Sequence, residues 1–212
     1  MRLTTHLMQR GTARTTRTAA FGLAFGIVAL AAASGCSSTV RTGQSPAYLV
    51  LQRLEGSSGA ETSGTFQSVL RSDVRSKGSV FEDNGRVTLS IALKDVTNPS
   101  GPTTNNLITL NRYRVEYRRT DGRNTPGVDV PYAFEGALGM TVGEQNVQAV
   151  FSLVRIQAKL EAPLVTLVGN NGGALVISTI ADVTFFGKDQ TGREVTVTGS
   201  MSVNFADWAD PE

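Results

Sequence analysis

Cysteine and histidine are nearly absent from this chain of 212 residues: Cys36 and His6 are the only ones. A single cysteine excludes an intramolecular disulfide framework and any cysteine-cluster metal site. A single histidine excludes paired-histidine metal motifs such as H-E-x-x-H. Both residues lie at the N-terminal end, so the body of the chain lacks the parts for Ser-His-Asp or Cys-His nucleophilic catalysis. Phosphate cradles are missing too, with neither G-x-x-x-x-G-K-[ST] nor G-x-G-x-x-G. No Ser-x-x-Lys sets a serine and a lysine one helical turn apart, and no internal repeat is present. Charged residues make up 18% of the chain and aromatic residues 7%. With 40% apolar residues and a net charge of +2, the composition is that of a folding chain rather than a disordered one.

What is present begins with an address. Residues 1–35 carry Arg2, Arg10, Arg14 and Arg17 and no acidic residue. An apolar run from Ala19 to Ala33 follows, then Ser34-Gly35-Cys36. A basic start, a short apolar core and small residues at its end read as a secretory signal peptide. The apolar run has 15 residues and is rich in Ala and Gly, whereas a membrane span needs about 20 strongly apolar ones.

Ala33-Ser34-Gly35-Cys36 resembles the lipobox of bacterial lipoproteins, usually Leu-Ala/Ser-Gly/Ala-Cys. The resemblance implies that the Cys36 thiol takes a diacylglycerol, that the bond before it is cut, and that the new amino group is acylated. No other cofactor is expected. Ser37 in place of Asp implies transport to the outer membrane, facing the periplasm or the surface. Acyl chains add about 0.8 kcal/mol per buried methylene, so two or three hold a protein on a bilayer without a spanning helix. Removing residues 1–35 from 212 leaves 177, with 16 basic and 18 acidic residues, a net charge of −2. That balance argues against a nucleic-acid partner. Residues 36–46 read as a lipidated tether whose last ten residues reach about 33 Å when extended, and 47–212 as a single domain.

The body alternates apolar and polar residues with period two, the mark of half-buried strands. In 194–205 the set Val195, Val197, Gly199, Met201, Val203, Phe205 takes one face. Val87, Leu89, Ile91 and Leu93 do so in 86–94, and Ile177, Thr179, Ala181, Val183 and Phe185 in 175–186. Residues 128–142 repeat the pattern from Val128 through Tyr132 and Phe134 to Val142. In 107–119 the phase flips near Asn111-Arg112, which predicts a β-bulge. Weaker strands are expected at 48–51 and 65–70, a buried strand at 147–156, and a short helical turn within 157–167 broken near Pro163. Asp83-Asn84-Gly85 predicts a tight turn before the 86–94 strand. Seven or eight strands with at most one short helix predict an all-β antiparallel sandwich, Ig-like or fibronectin-like in architecture. The C-terminal strands resemble those of uncharacterised secreted Ig-like lipoproteins.

Candidate sites are few, and no catalytic or metal-binding residue is assigned. Arg112, Arg114 and Arg118 form an outer stripe if Tyr113, Val115 and Tyr117 face the core. The stripe is either a solvated face with cross-strand ion pairs or a docking face for a partner. Asp121, Asn124 and Asp129 near one hairpin, and Asp207 and Asp210 in the tail, offer oxygens that calcium takes from loops. The pairs Glu82-Asp83 and Glu55/Glu61 are the carboxylates available to a two-acid hydrolase. Trp208 caps the core or anchors a partner. The expectation is a non-catalytic lipoprotein with a structural, adhesive or partner-binding sandwich. It is held on the membrane by its lipid and faces an envelope protein or glycan. A carbohydrate- or calcium-binding module is the alternative, followed by a carboxylate hydrolase.

Overall fold

The structure, a computed structural model, describes residues 45–208 except 62, 63, 96, 98–100 and 171. The signal segment 1–35, Cys36, the tether up to residue 44 and Asp210 lie outside the described residues. Eight strands follow in chain order: β1 (Ala47–Ser57), β2 (Val69–Asp73), β3 (Asp83–Leu93), β4 (Ile108–Arg118), β5 (Phe134–Val142), β6 (Val147–Val154), β7 (Ile177–Asp189) and β8 (Glu194–Ala206). Between β6 and β7 stand one short helix, α1 (Ile156–Leu160), and a 3-10 turn (Leu164–Leu167). The strands form two sheets, ordered β1-β3-β6 and β2-β8-β7-β4-β5. This is an all-β sandwich. Taking β1, β3, β6 as strands A, B, E and β8, β7, β4 as G, F, C, the order follows the Ig-like arrangement. One pair departs from the antiparallel expectation: β2 runs parallel to β8. No hairpin joins those two strands, so nothing forces them to oppose each other.

The period-two faces meet between the sheets. Val87 and Leu89 from one sheet, and Val183, Phe185, Val203 and Phe205 from the other, are fully buried. The β4 register shifts between Leu110 and Arg112 against both neighbours, which puts Ile108 and Leu110 inward before the bulge and Tyr113, Val115 and Tyr117 inward after it. Where an antibody domain has a disulfide against a tryptophan, this core has aromatic rings. The Phe151 centroid lies 4.9 Å from that of Tyr113 and 5.4 Å from that of Phe185, the latter pair edge to face.

Two local expectations are corrected. Asp83-Asn84-Gly85 is not a turn; it is the first part of β3, paired with β6. Asp83 is buried there for an ion pair, and Gly85 faces the Phe151 ring so closely that a Cβ would lie 2.4 Å from Cζ. The second strand of the 107–142 pair starts at Phe134 and not at Val128. Val128 and Asp129 instead donate backbone hydrogen bonds to the Thr125 carbonyl, and Pro131 has no N–H to give a ladder. Val128 and Tyr132 consequently stand 67% and 59% exposed.

Candidate functional site

The described surface contains a cleft of about 260 Å³. One wall is the segment leading into β5, with Pro131, Tyr132, Ala133 and Phe134; the other is α1 and its flanks, with Arg155, Gln157, Ala158, Glu161 and Ala162. The first wall is set by a folded loop. The Arg119 and Arg123 guanidiniums hold Asp121, and the Asn124 side chain accepts from the Arg119 N–H at 2.6 Å. Hydrogen bonding from Arg119, and then from Arg123, holds the Asp121 carboxyl down at about 2. Gly127 has φ +76°, and the Tyr132 phenol lies on it where a Cβ would be 2.3 Å from the hydroxyl. A side chain there is excluded by both the backbone conformation and the ring.

The second wall is pinned from inside. A five-residue helix is too short to stand by itself. Lys159, with its side chain fully enclosed, reaches Asp83 Oδ1 at 2.9 Å. Asp83 Oδ1 also accepts the Gly59 N–H at 3.0 Å, and its Oδ2 accepts the Ser72 hydroxyl at 2.6 Å. This buried charge pair is therefore matched and hydrogen-bonded on both carboxylate oxygens, as a charge removed from water must be. Arg155 lies 3.9 Å from the Phe134 ring centroid and donates to the Glu135 carbonyl, which fixes the cleft's cationic edge. Gln157 donates to Glu161 one helical turn on, at 2.8 Å. The result is an aromatic and aliphatic floor with a guanidinium, an amide and a carboxylate at the rim. Such a set can seat an apolar or planar group and orient it by hydrogen bonds.

The sequence candidates fall elsewhere. Arg112, Arg114 and Arg118 do share the outer face of the five-stranded sheet. Arg112 pairs with Glu135 at 2.9 Å, Arg114 with Glu116 at 2.5 Å, and Arg118 with Asp182 at 2.6 Å. Arg112 also covers the Phe186 ring at 3.8 Å. Three cations facing three carboxylates leave little field to attract an acidic partner. Asp121, Asn124 and Asp129 each bind backbone or guanidinium groups of their own loop, and no cluster of three metal-ligating side chains occurs among the described residues. Glu82 accepts from Ser152, while Glu55 pairs with Arg86 at 2.7 Å. Asp207 is buried and accepts the Gly169 N–H at 2.6 Å. Trp208 is half-buried, with its ring against Gly173 and the Arg71 guanidinium at 4.1 Å. No helix of the described residues is long and apolar enough to cross a membrane.

Sequence reasoning missed both Tyr132 as an exposed ring and the Asp83–Lys159 pair. The second left a signal: Lys159 is one of two cations, with Arg155, in the largely apolar stretch 147–168. No protein-family model matches the chain, and no curated protein matches it.

Proposed function

We propose that the chain is an envelope lipoprotein, anchored through acylated Cys36, whose sandwich is a non-catalytic module that binds a protein partner at the Tyr132–Arg155 cleft. The observation that carries the reading is the exposed apolar surface in and beside the cleft. Tyr132 stands out from one wall, with Val128 exposed four residues before it, and Ile156 and Leu160, one turn apart on the outward face of α1, are 44% and 57% exposed. Exposed apolar groups around a cleft with a polar rim suit a protein surface better than a glycan. Lipobox residues 33–36 support the anchor, and Ser37 favours the outer membrane. The occupied state of Asp83, Glu55 and the arginine stripe supports binding over chemistry, because their charges already serve the fold.

The test is site-specific photocrosslinking in intact cells, with the photoreactive residue at position 132 and, as control, at Thr196 on the outer sheet face. A discrete protein adduct at 132 and none at 196 is expected. A glycan adduct would replace the protein partner, and no adduct at 132 would remove the cleft from the argument. Mass spectrometry should find an acylated N-terminal Cys36. A Cys36→Ser chain that stays in the membrane fraction to the same extent would overturn the anchor.

A further inference from the structure

The Lys159–Asp83 pair has the geometry of a reaction as well as of a salt bridge. Both side chains have no exposed surface, and the amine nitrogen is 2.9 Å from Oδ1. Two hydrogen-bond donors are already placed on the two carboxylate oxygens, Gly59 N–H on Oδ1 and Ser72 Oγ–H on Oδ2. The pair joins β3 to the helix after β6, so it ties two segments that are distant in the chain. We propose that Lys159 and Asp83 condense to an intramolecular amide, a covalent cross-link between the start of β3 and α1.

The step needs no co-reactant. Within the pair, Nζ gives a proton to the carboxylate, leaving a neutral amine beside a neutral acid. The Nζ lone pair attacks Cγ, forming the C–N bond, and negative charge gathers on Oδ1, where Gly59 N–H meets it. The Cγ–Oδ2 bond then breaks. Oδ2, which already accepts the Ser72 hydroxyl, departs as water with the two protons lost by nitrogen. An ammonium and a carboxylate become one amide and one water, and nothing is oxidised or reduced.

Two physical terms favour the product. Enclosure of both partners gives an effective molarity that reaches about 10⁵–10⁸ M in well-oriented intramolecular reactions, far above that of competing water. Condensation also removes two charges from an interior that penalises them, replacing an ion pair with a neutral group. Oδ1 keeps its Gly59 hydrogen bond as the amide oxygen.

The experiment is a tryptic digest of the full chain, read by mass spectrometry. Trypsin does not cut after an acylated lysine. The cross-linked chain should give a branched species joining Gly78–Arg86 to Ile156–Lys188, lighter by one water than the sum of the two. The free tetrapeptide Ile156–Lys159 should then be absent. A Lys159→Met chain should release Gly78–Arg86 unmodified, and this readout holds whether or not the variant folds. Recovery of free Ile156–Lys159 together with unmodified Gly78–Arg86 from the native chain would overturn the proposal and leave the pair as a salt bridge.

Discussion

Gly85→Ala tests the register that places Gly85 in β3 opposite Phe151. The added Cβ would lie 2.4 Å from Phe151 Cζ and 2.8 Å from each Cε, distances that van der Waals contact forbids. The ring is 5% exposed and lies between Tyr113 and Phe185, so it can yield only by disturbing them. Overpacking of this kind costs about 1–3 kcal/mol. For a domain of this size each kcal/mol lowers Tm by about 2–4 °C, which makes the expected fall roughly 2–12 °C. Phe151→Leu deletes Cζ and both Cε, the three atoms that meet the new methyl, and as a core truncation costs about 1–3 kcal/mol alone. The double variant should therefore lose less than the sum of the singles, by about 1 kcal/mol or more. Urea unfolding followed by Trp208 fluorescence and by circular dichroism measures all four corners of the cycle. If Asp83-Asn84-Gly85 were instead a tight turn with glycine at positive φ, Ala would cost the same whatever stood at 151. Additive losses, or a neutral Gly85→Ala, would refute the assignment.

Tyr117→Phe should cost about 1–2 kcal/mol in urea unfolding, because the Tyr117 hydroxyl donates at 2.5 Å to the buried Leu153 carbonyl and water cannot replace it. Burial raises the Tyr117 pKa above its ordinary value of about 10. Its contribution is thus fully present below that value and lost as pH rises beyond it, and the variant should show a shallower alkaline loss than the parent. A parent and variant with parallel alkaline profiles would count against this. Burial first, and then the Asp207 charge, raise the Asp73 pKa, so the ionised form of Asp73 costs stability at neutral pH. Asp73→Asn keeps an oxygen for the Trp208 N–H at 3.1 Å and should raise the urea midpoint at pH 7. That gain should vanish below about pH 3.8, where the carboxyl is protonated in both states. A lower midpoint at pH 7 would refute the assignment.

What could be read from the sequence follows a physical division. Strand faces were legible because sheets impose period two on side chains, and Val195 to Phe205 or Ile177 to Phe185 carry that period without interruption. The bulge in β4 was legible for the same reason, since one extra residue reverses the phase of Ile108 and Leu110 against Tyr113 and Val115. Local turn chemistry misled at Asp83-Asn84-Gly85. Its turn propensity is real in isolation, but here a tertiary contact uses each end, Lys159 on the aspartate and Phe151 on the glycine. Alternation also carried the 128–142 strand too far, because Val128, Val130 and Tyr132 keep period two while hydrogen bonds to Thr125 curl the chain. The cleft was hidden because its walls come from segments far apart in sequence. No periodicity relates Tyr132 to Gln157.

The cleft and the buried pair are mechanically connected. A helix of five residues gains too few internal hydrogen bonds to persist by itself, and α1 has no side-chain cap at its N-terminus. What fixes it is Lys159 on its inner side, held through Asp83 to β3, Ser72 on β2 and Gly59 after β1. The same fixation turns Ile156 and Leu160 outward and sets Gln157, Ala158 and Glu161 along the cleft. Across from it, Tyr132 is seated on Gly127. Both walls are thus ordered before anything binds, and a partner would not bear the entropy of folding them, which amounts to about 0.5–1.5 kcal/mol for each immobilised side chain. In that sense the polar cluster under α1 acts on recognition from inside the domain, without reaching the surface itself.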